Sequence, residues 1–395
     1  MTETAKAHGM DGKLVEPDWS PLTEGEVREV LEQYAECEGP YAIETVSPRP
    51  FSAASVVRAG AGCVFVKRHA QAVRDAEGLA EEHRFMEHLH THGCSVPRVL
   101  RTRAGASAVE GGASTYEVHE TPRGVDLYED AISWTPFRSA AHARSAGQEL
   151  ARLHLAAEGL DAPARKARPL VASFTIFASQ DAQKAMEKYL RARKSLCGDE
   201  ETRKHCDAAL ELLEPFHAEL RPLLKELKPL WTHNDLHASN LFWSGAGEDA
   251  RATAVIDFGL ADRTTAVNDL AQAVERNCVG WLALMTNPDA PDAVTVQMDH
   301  AAALLEGYEE TRPLTDAEAA ALAPMMALCH AEFALTEADY FLGVLRSREK
   351  ARLASWDYLV GHARWFRGAA GARMLDGLRR WAERRRMSAQ GAGRA

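Results

Sequence analysis

Two short segments carry side chains whose types and spacing suit chemistry. The stretch Thr232-His-Asn-Asp-Leu-His-Ala-Ser-Asn-Leu-Phe-Trp243 contains the spacing His233-x-Asp235-x-x-x-x-Asn240, and Ile256 is followed by Asp257-Phe258-Gly259. Each segment borders an apolar run, Leu241-Phe242-Trp243 and Ala254-Val255-Ile256, and the turn-rich SGAGEDARAT between them reads as the bend of a hairpin. Such a hairpin folds the two polar segments side by side. Phosphoryl transfer needs a carboxylate that orients and deprotonates an attacking hydroxyl, and oxygen ligands that hold Mg²⁺ against nucleotide phosphates. Asp235 suits the first task, and Asn240 and Asp257 suit the second. Gly259 lets the chain turn sharply behind the metal ligand. Either segment alone also resembles a solvated loop beside a core strand. The pair in this order points to a site.

The elements that must hold these residues fall into two groups. At 395 residues the chain is too long for one ordinary core, so two lobes are expected. Residues 1–20 mix charge, Gly and Pro without periodicity and are expected to form a loose tail. Thr23 with Glu26 forms a capping box ahead of Val27, Val30, Leu31 and Tyr34 at helical spacing. Two β-branched runs, 55–57 and 63–67, joined by RAGAG, signal a hairpin, and residues 77–92 place Leu79, Phe85, Met86 and Leu89 on one helical face. After a strand candidate at 114–119, long helical patterns dominate. The chain is therefore read as an N-lobe at 21–120, a helical C-lobe at 121–386 and a disordered tail at 387–395.

Composition narrows the partners. A formal charge of −11 argues against nucleic acid. The first twenty residues show no apolar signal core and no uninterrupted apolar run of bilayer length is present, so a cytoplasmic protein without a membrane partner is expected. Seven scattered cysteines without C-x-x-C spacing suggest reduced thiols rather than a disulfide framework or zinc cluster. Between Gly259 and Tyr340 there are fourteen acidic residues against three arginines, Arg263, Arg276 and Arg312, which accounts for the entire net charge.

THNDLHASNLFW with AVIDFGLAD resembles the catalytic and metal loops of the aminoglycoside phosphotransferase and choline-kinase-like superfamily of small-molecule kinases. That resemblance implies an α+β fold, the bilobal protein-kinase-like arrangement with a small β-rich N-lobe and a larger, mostly helical C-lobe. It covers about residues 22–345. By resemblance, Lys67 in VFVK holds the α- and β-phosphates of ATP, Glu82 is its ion-pairing glutamate, and Glu117, Val118 and His119 belong to the hinge that meets the adenine. Gly147-x-x-Leu150-Ala151-x-Leu153-His154 and Gly307-Tyr308-x-x-x-Arg312 are similar to C-lobe landmarks, and LTEGEVREVLEQY resembles the homoserine-kinase-like branch.

Two departures stand out. Asn234 replaces the usual glycine between His233 and Asp235, which requires a left-handed backbone there. The 48–55 segment is not glycine-rich, so backbone amides and the hydroxyls of Ser52 and Ser55 are expected to cover the phosphates.

His233 is read as structural, His237 and Ser239 as loop residues, and Asp269 as a helix cap. The resulting expectation is an ATP- and Mg²⁺-dependent phosphotransferase, with Asp235 catalytic and Asn240 and Asp257 on the metal. Its acceptor is a small hydroxyl compound, cationic through an amine. The acidic stretch, and in principle Trp281, Tyr308, Tyr340, Trp356 or Trp365, would line the acceptor pocket, although such aromatics usually belong to the core. The alternative is a catalytically silent nucleotide-binding scaffold acting by protein interaction, suggested by the missing glycine-rich loop and the basic Arg379–Arg386 helix.

Overall fold

The protein's structure, a computed structural model, describes residues 7–8, 14–286 and 293–392. Ala7–His8 (β1) and Leu14–Val15 (β2) pair antiparallel. The end of the segment expected to be a loose tail contacts the C-terminal half of the chain. The Trp19 indole N–H donates to the Tyr340 hydroxyl at 3.0 Å, and Lys350 pairs with Asp18. Residues 1–6 and 9–13 lie outside the described residues.

The N-lobe follows the expected plan. After α1 (Glu24–Leu31), whose capping box forms as read, one antiparallel sheet runs in the order β3-β4-β5-β7-β6. Its strands are β3 (Tyr41–Val46), β4 (Ala53–Ala59), β5 (Gly62–Ala70), β6 (Val109–Gly111) and β7 (Ser114–Glu120), with α2 (Ala76–Thr91) between β5 and β6. Side chains alternate across a strand, so the register splits the sheet into two faces. Ser55, Val57, Val64, Val66 and Val118 share the face packed beneath α1, whereas Lys67, His69, Glu117 and His119 share the other.

The C-lobe begins with α3 (Ala140–Ala157), α4 (Ala182–Arg191), α5 (Lys194–Cys197) and α6 (Glu200–Leu220). Two small strand pairs follow. β8 (Pro229–Thr232) pairs with β11 (Asp262–Thr265), and β9 (Leu241–Trp243) with β10 (Ala252–Val255). The second pair is the hairpin inferred between the two polar segments. The first locks the strand before His233 to the strand after Gly259. The remaining helices are α7 (Ala266–Cys278), α8 (Trp281–Thr286), α9 (Met298–Thr311), α10 (Asp316–Leu328), α11 (His330–Gly343), α12 (Arg348–Arg352), α13 (Gly361–Arg367) and α14 (Ala369–Ala392). α14 carries the chain through most of the 387–395 segment expected to be disordered, and only residues 393–395 lie outside the described residues. Asp316–Gly343 is long and apolar enough to cross a membrane, yet its apolar stretch is 94% buried within this lobe. Of the seven free cysteines, Cys63 and Cys197 are exposed and the others are buried.

The two glycine landmarks explain each other. α3 and α9 cross so closely that a Cβ on Gly147 would overlap the Leu304 carbonyl, and one on Gly307 the Arg144 carbonyl. Gly147→Ala is therefore expected to destabilise the fold by about 1–3 kcal/mol through overpacking. Gly245→Ala, with open space around it, should be nearly neutral. Thermal melts of the two variants check this, and equal midpoints would contradict the close crossing.

Candidate active site

The catalytic-type loop is held from beneath by one buried carboxylate. Asp269, in the first turn of α7, accepts the backbone N–H of His233 at 2.8 Å and of Asn234 at 2.9 Å, and bonds His154 Nε2 of α3 at 3.0 Å. Burial would raise its pKa, but these bonds hold the carboxyl below its ordinary value. Asp269 is thus neither the cap of α7, which is Thr265, nor a pocket wall. Asn234 adopts φ 60°, the left-handed backbone its position requires. Its side chain donates to the carbonyls of Ala172 (3.1 Å) and Leu260 (3.3 Å), and its Oδ1 accepts from Thr232 at 2.8 Å. A glycine would lack these bonds.

His233 is structural by geometry. Its Nε2 lies 2.9 Å from the Ile256 carbonyl, which can only accept, and its Nδ1 accepts the Asp235 N–H at 3.2 Å. The ring is therefore neutral, in keeping with a pKa lowered by burial. Phe258 packs edge-on against His233 at 4.8 Å and against Phe85 of α2 at 5.8 Å, joining the loop to the N-lobe helix.

Asp235 and Asp257 line one cleft with opposite electrostatic surroundings. Asp235 contacts the Arg276 guanidinium and accepts from Asn240 Nδ2 at 3.2 Å. Burial nevertheless pushes its carboxyl up to about 7, Arg276 opposing and Asp257 adding to the rise. Asp257 also has φ 60°, and its Oδ1 lies 3.0 Å from Lys67 Nζ. Burial would raise its pKa, but the ammonium overrides that and holds it low. Lys67 is raised in turn: burial disfavours its charge, and the carboxylates of Asp257, Glu117 and Glu82 more than offset this. Asn240 spends its amide N–H on the carbonyl and carboxylate of Asp235, which leaves Oδ1 as its remaining polar side-chain atom, an acceptor.

Several sequence-based assignments are corrected. Glu82 does not pair with Lys67; it is buried beside Arg74 (3.8 Å) and Arg165 (3.6 Å), whose guanidiniums claim the carboxylate. Ser55 faces the core under α1, across the sheet from Lys67, because its register partner is Val66. Ser52 does line the cleft. Glu117, Val118 and His119 are not a free hinge. They sit inside β7, laddered to β5, with the Val118 carbonyl taken by the Leu100 N–H at 2.8 Å. The Glu117 side chain is 1% exposed and surrounded by histidines.

The acidic stretch mostly serves the fold, since Glu332 accepts the Ile176 N–H at 2.6 Å and Asp262 the Arg165 N–H at 2.7 Å. Glu337 is the exception: 2% exposed, lining the cleft, with an Oε2 that has no hydrogen-bond partner. None of the five aromatics named from the sequence lines the cleft, Trp281 and Trp365 packing in the core; Trp134, Phe333 and Tyr358 line it instead, Phe333 beneath Arg276. Arg49 also lines it and donates to Ser133 Oγ at 2.9 Å. Sequence reading missed Arg49, Arg276 and Glu337. Only Arg276 carried a signal, as a rare base in the acidic stretch.

A bilobal fold with a lysine-bearing strand facing two aspartate-bearing loops across one cleft defines the kinase-like class. The profile of the phosphotransferase enzyme family (APH) matches residues 50–314, and the chain belongs to that family. It is 31% identical over 262 residues to a homoserine kinase of Methylobacterium radiotolerans, covering 66% of this chain and 68% of that one. A homoserine kinase of Gluconobacter oxydans is 25% identical over 261 residues, covering 64% and 67%. Among solved structures, a microcompartment-associated aminopropanol kinase superposes with a TM-score of 0.57 at 18% identity, covering 89% of this chain and 100% of that one. The amicoumacin kinase hAmiN gives 0.56 at 15%, covering 87% and 94%. The protein is a small-molecule kinase, and the silent-scaffold alternative is set aside.

Replacing Asp269 by Asn would set an amide N–H against the loop amides while removing the charge they bind. A loss of about 3 kcal/mol is expected from breaking a buried charged network. Urea denaturation measures it; an unchanged midpoint would mean that the clamp is not what holds the loop.

Proposed function

We propose that this kinase transfers the γ-phosphate of ATP to the hydroxyl of a small amino alcohol, homoserine being the first candidate. The observation that carries the reading is Glu337, a buried carboxylate in the same cleft as Asp235 whose Oε2 has no hydrogen-bond partner. Burial pushes its carboxyl up to about 8 against the opposing charge of Arg276, which is itself paired with Asp235, so an incoming ammonium would supply further counter-charge. Aromatic rings of Trp134, Phe333 and Tyr358 beside it suit the body of such an acceptor. Homoserine and aminopropanol, named for the relatives above, are both amino alcohols. The acceptor end is also confined: Phe51 packs on Tyr340 at 5.4 Å and Arg49 reaches Ser133, so the 48–52 loop closes onto the C-lobe. That favours a small acceptor over a large aminoglycoside.

Beside Asp257, Lys67 presents a cation that a polyphosphate needs, and Arg49, on the loop that closes the cleft, adds a second within reach of both aspartates. Arg49 takes over work that a glycine-rich loop would do. Asn240 Oδ1 and the Asp257 carboxylate are hard oxygen donors, a set that fits Mg²⁺ and would hold it against the phosphates. That ion supplies charge neutralisation when bound. The acceptor oxygen attacks the γ-phosphorus as its bond to the β-bridging oxygen breaks; ADP leaves, and the hydroxyl proton passes to Asp235. A carboxylate titrating near neutrality is suited to that task. Arg276 and Asn240 position it. ATP use and unpaired thiols support a cytoplasmic location.

Purified protein with Mg²⁺-ATP, offered homoserine, aminopropanol, choline, ethanolamine, hydroxylysine and aminoglycosides, should consume ATP fastest with an amino alcohol. Asp235→Ala should abolish this. No acceptor-stimulated turnover from the whole panel would sink the assignment.

The kcat/KM of the wild type should climb as pH rises through about 7, because the base must be deprotonated. A profile flat from pH 6 to 8 would remove Asp235 as the base. Glu337→Gln should lower kcat/KM for the amine-bearing acceptor by roughly 30-fold or more, the lower end of the cost of losing one buried charge partner, with the KM for ATP little changed. An equal loss on both substrates would argue against an acceptor contact.

A further inference from the structure

Behind the cleft, on the face of the sheet that also carries Lys67, four side chains converge that phosphoryl transfer does not use. Glu117 of β7 lies 2.7 Å from His83 Nε2 of α2 and 2.9 Å from His119 Nε2, both through Oε2. Its other oxygen, Oε1, lies 2.7 Å from His69 Nε2 of β5. All four are buried: Glu117 is 1% exposed, His83 2%, His69 6% and His119 9%. Among the described residues, His83, Glu117 and His119 bring their ligand atoms within 4.8 Å of one another.

Hydrogen bonding alone leaves this cluster unsatisfied. His119 Nε2 is buried without a hydrogen-bond partner although the carboxylate oxygen is 2.9 Å away, so no N–H points along that line. His83 Nδ1 is unpartnered as well. His83 Nε2, by contrast, is hydrogen-bonded to that oxygen at 2.7 Å, so two imidazole nitrogens crowd one carboxylate oxygen, as ligands around a cation do.

We propose that the N-lobe binds one divalent transition-metal ion, of the zinc class, through His83 Nε2, His119 Nε2 and Glu117 Oε2. Two imidazoles and a carboxylate suit Zn²⁺, Co²⁺ or Fe²⁺ rather than Mg²⁺, which prefers oxygen alone. Metal–ligand bonds of about 2.0–2.2 Å in a tetrahedral arrangement separate ligand atoms by about 3.3 Å, a small expansion of the two nitrogen–oxygen spacings, and the two Nε2 atoms lie within 4.8 Å of each other. His69 then takes a supporting place, bonded to the carboxylate oxygen opposite the ion; such outer partners orient ligating carboxylates. The ion would tie α2 to β7. Glu117 is the register partner of Lys67, so that tie would set the strand presenting Lys67 to the cleft.

The test uses untagged full-length protein, stripped with a chelator and held in excess Mg²⁺ so that oxygen-only sites are filled. Titration with Co²⁺ should give one equivalent with a visible d–d band, Zn²⁺ should displace it with sub-micromolar affinity, and Zn²⁺ should raise the melting temperature. The double variant His83→Gln/His119→Gln should lose the band, and Asp257→Asn should keep it. Should the double variant fail to fold, His69→Gln keeps all three ligands and should weaken Co²⁺ binding by roughly 10–100-fold. Absence of stoichiometric binding would overturn the proposal. So would a band that survives in the double variant, disappears in Asp257→Asn or is unaffected by His69→Gln.

Discussion

The carboxylate of Asp269 is the constraint on which the site depends. It is fully buried, and three donors converge on it: two backbone amides of the His233–Asn234 turn and the ring of His154. A loop cannot easily be buried, because its amides find no ladder partner. One charged acceptor answers for two of them and joins the loop to α7 and α3. The left-handed turn at Asn234, uncommon for a residue with a side chain, persists because that side chain is itself bonded on both sides. Asp235 is thereby aimed into the cleft by groups that never touch a substrate.

The same economy separates the two aspartates electrostatically. Both line the cleft, and two bare carboxylates so close would disfavour each other's charge. Lys67 removes the problem on one side by holding Asp257 ionised. Asp235 is left with Arg276 and Asn240, partners that fix its direction without fully offsetting burial. One acid thus stays charged and fit for a cation, while the other sits near neutrality and is fit to exchange a proton. Their different environments, rather than their identity, divide the labour.

Much of this was legible from sequence. The hairpin between Asn240 and Asp257, the capping box at Thr23 and the lobe boundary near Glu120 all rest on local rules: periodicity, turn residues and end-of-strand polarity. The role of Lys67 came from the resemblance of VFVK, since a lysine closing an apolar run reads by itself as solvated. What was not legible depends on contacts far apart in the chain. Glu82 is given to Lys67 by resemblance, yet which cation it meets is settled by Arg74 and Arg165, one of them more than eighty residues away. Ser55 and Ser52 look equivalent in sequence; strand parity sends Ser55 to the opposite face. The segment at 117–119 reads as a hinge until its backbone is seen to be consumed by neighbouring strands.

The acidic excess of the C-lobe shows how composition misleads when partners are unseen. A helical lobe threaded by irregular connections needs acceptors for loop amides, and Glu332 and Asp262 supply them from regular elements. Glu275 sits against His362, Asp339 against Ser195, and Glu306 and Glu310 against Arg144. Negative charge there is largely a scaffold device, which is why its total says little about a ligand. The information lies in what remains after those duties are assigned. Glu337 shares the burial of its neighbours, but its Oε2 has no hydrogen-bond partner, and a buried polar atom left so is costly to keep. Among the described acids of that stretch it is therefore the one whose place in the cleft beside Asp235 is not explained by a duty to the fold.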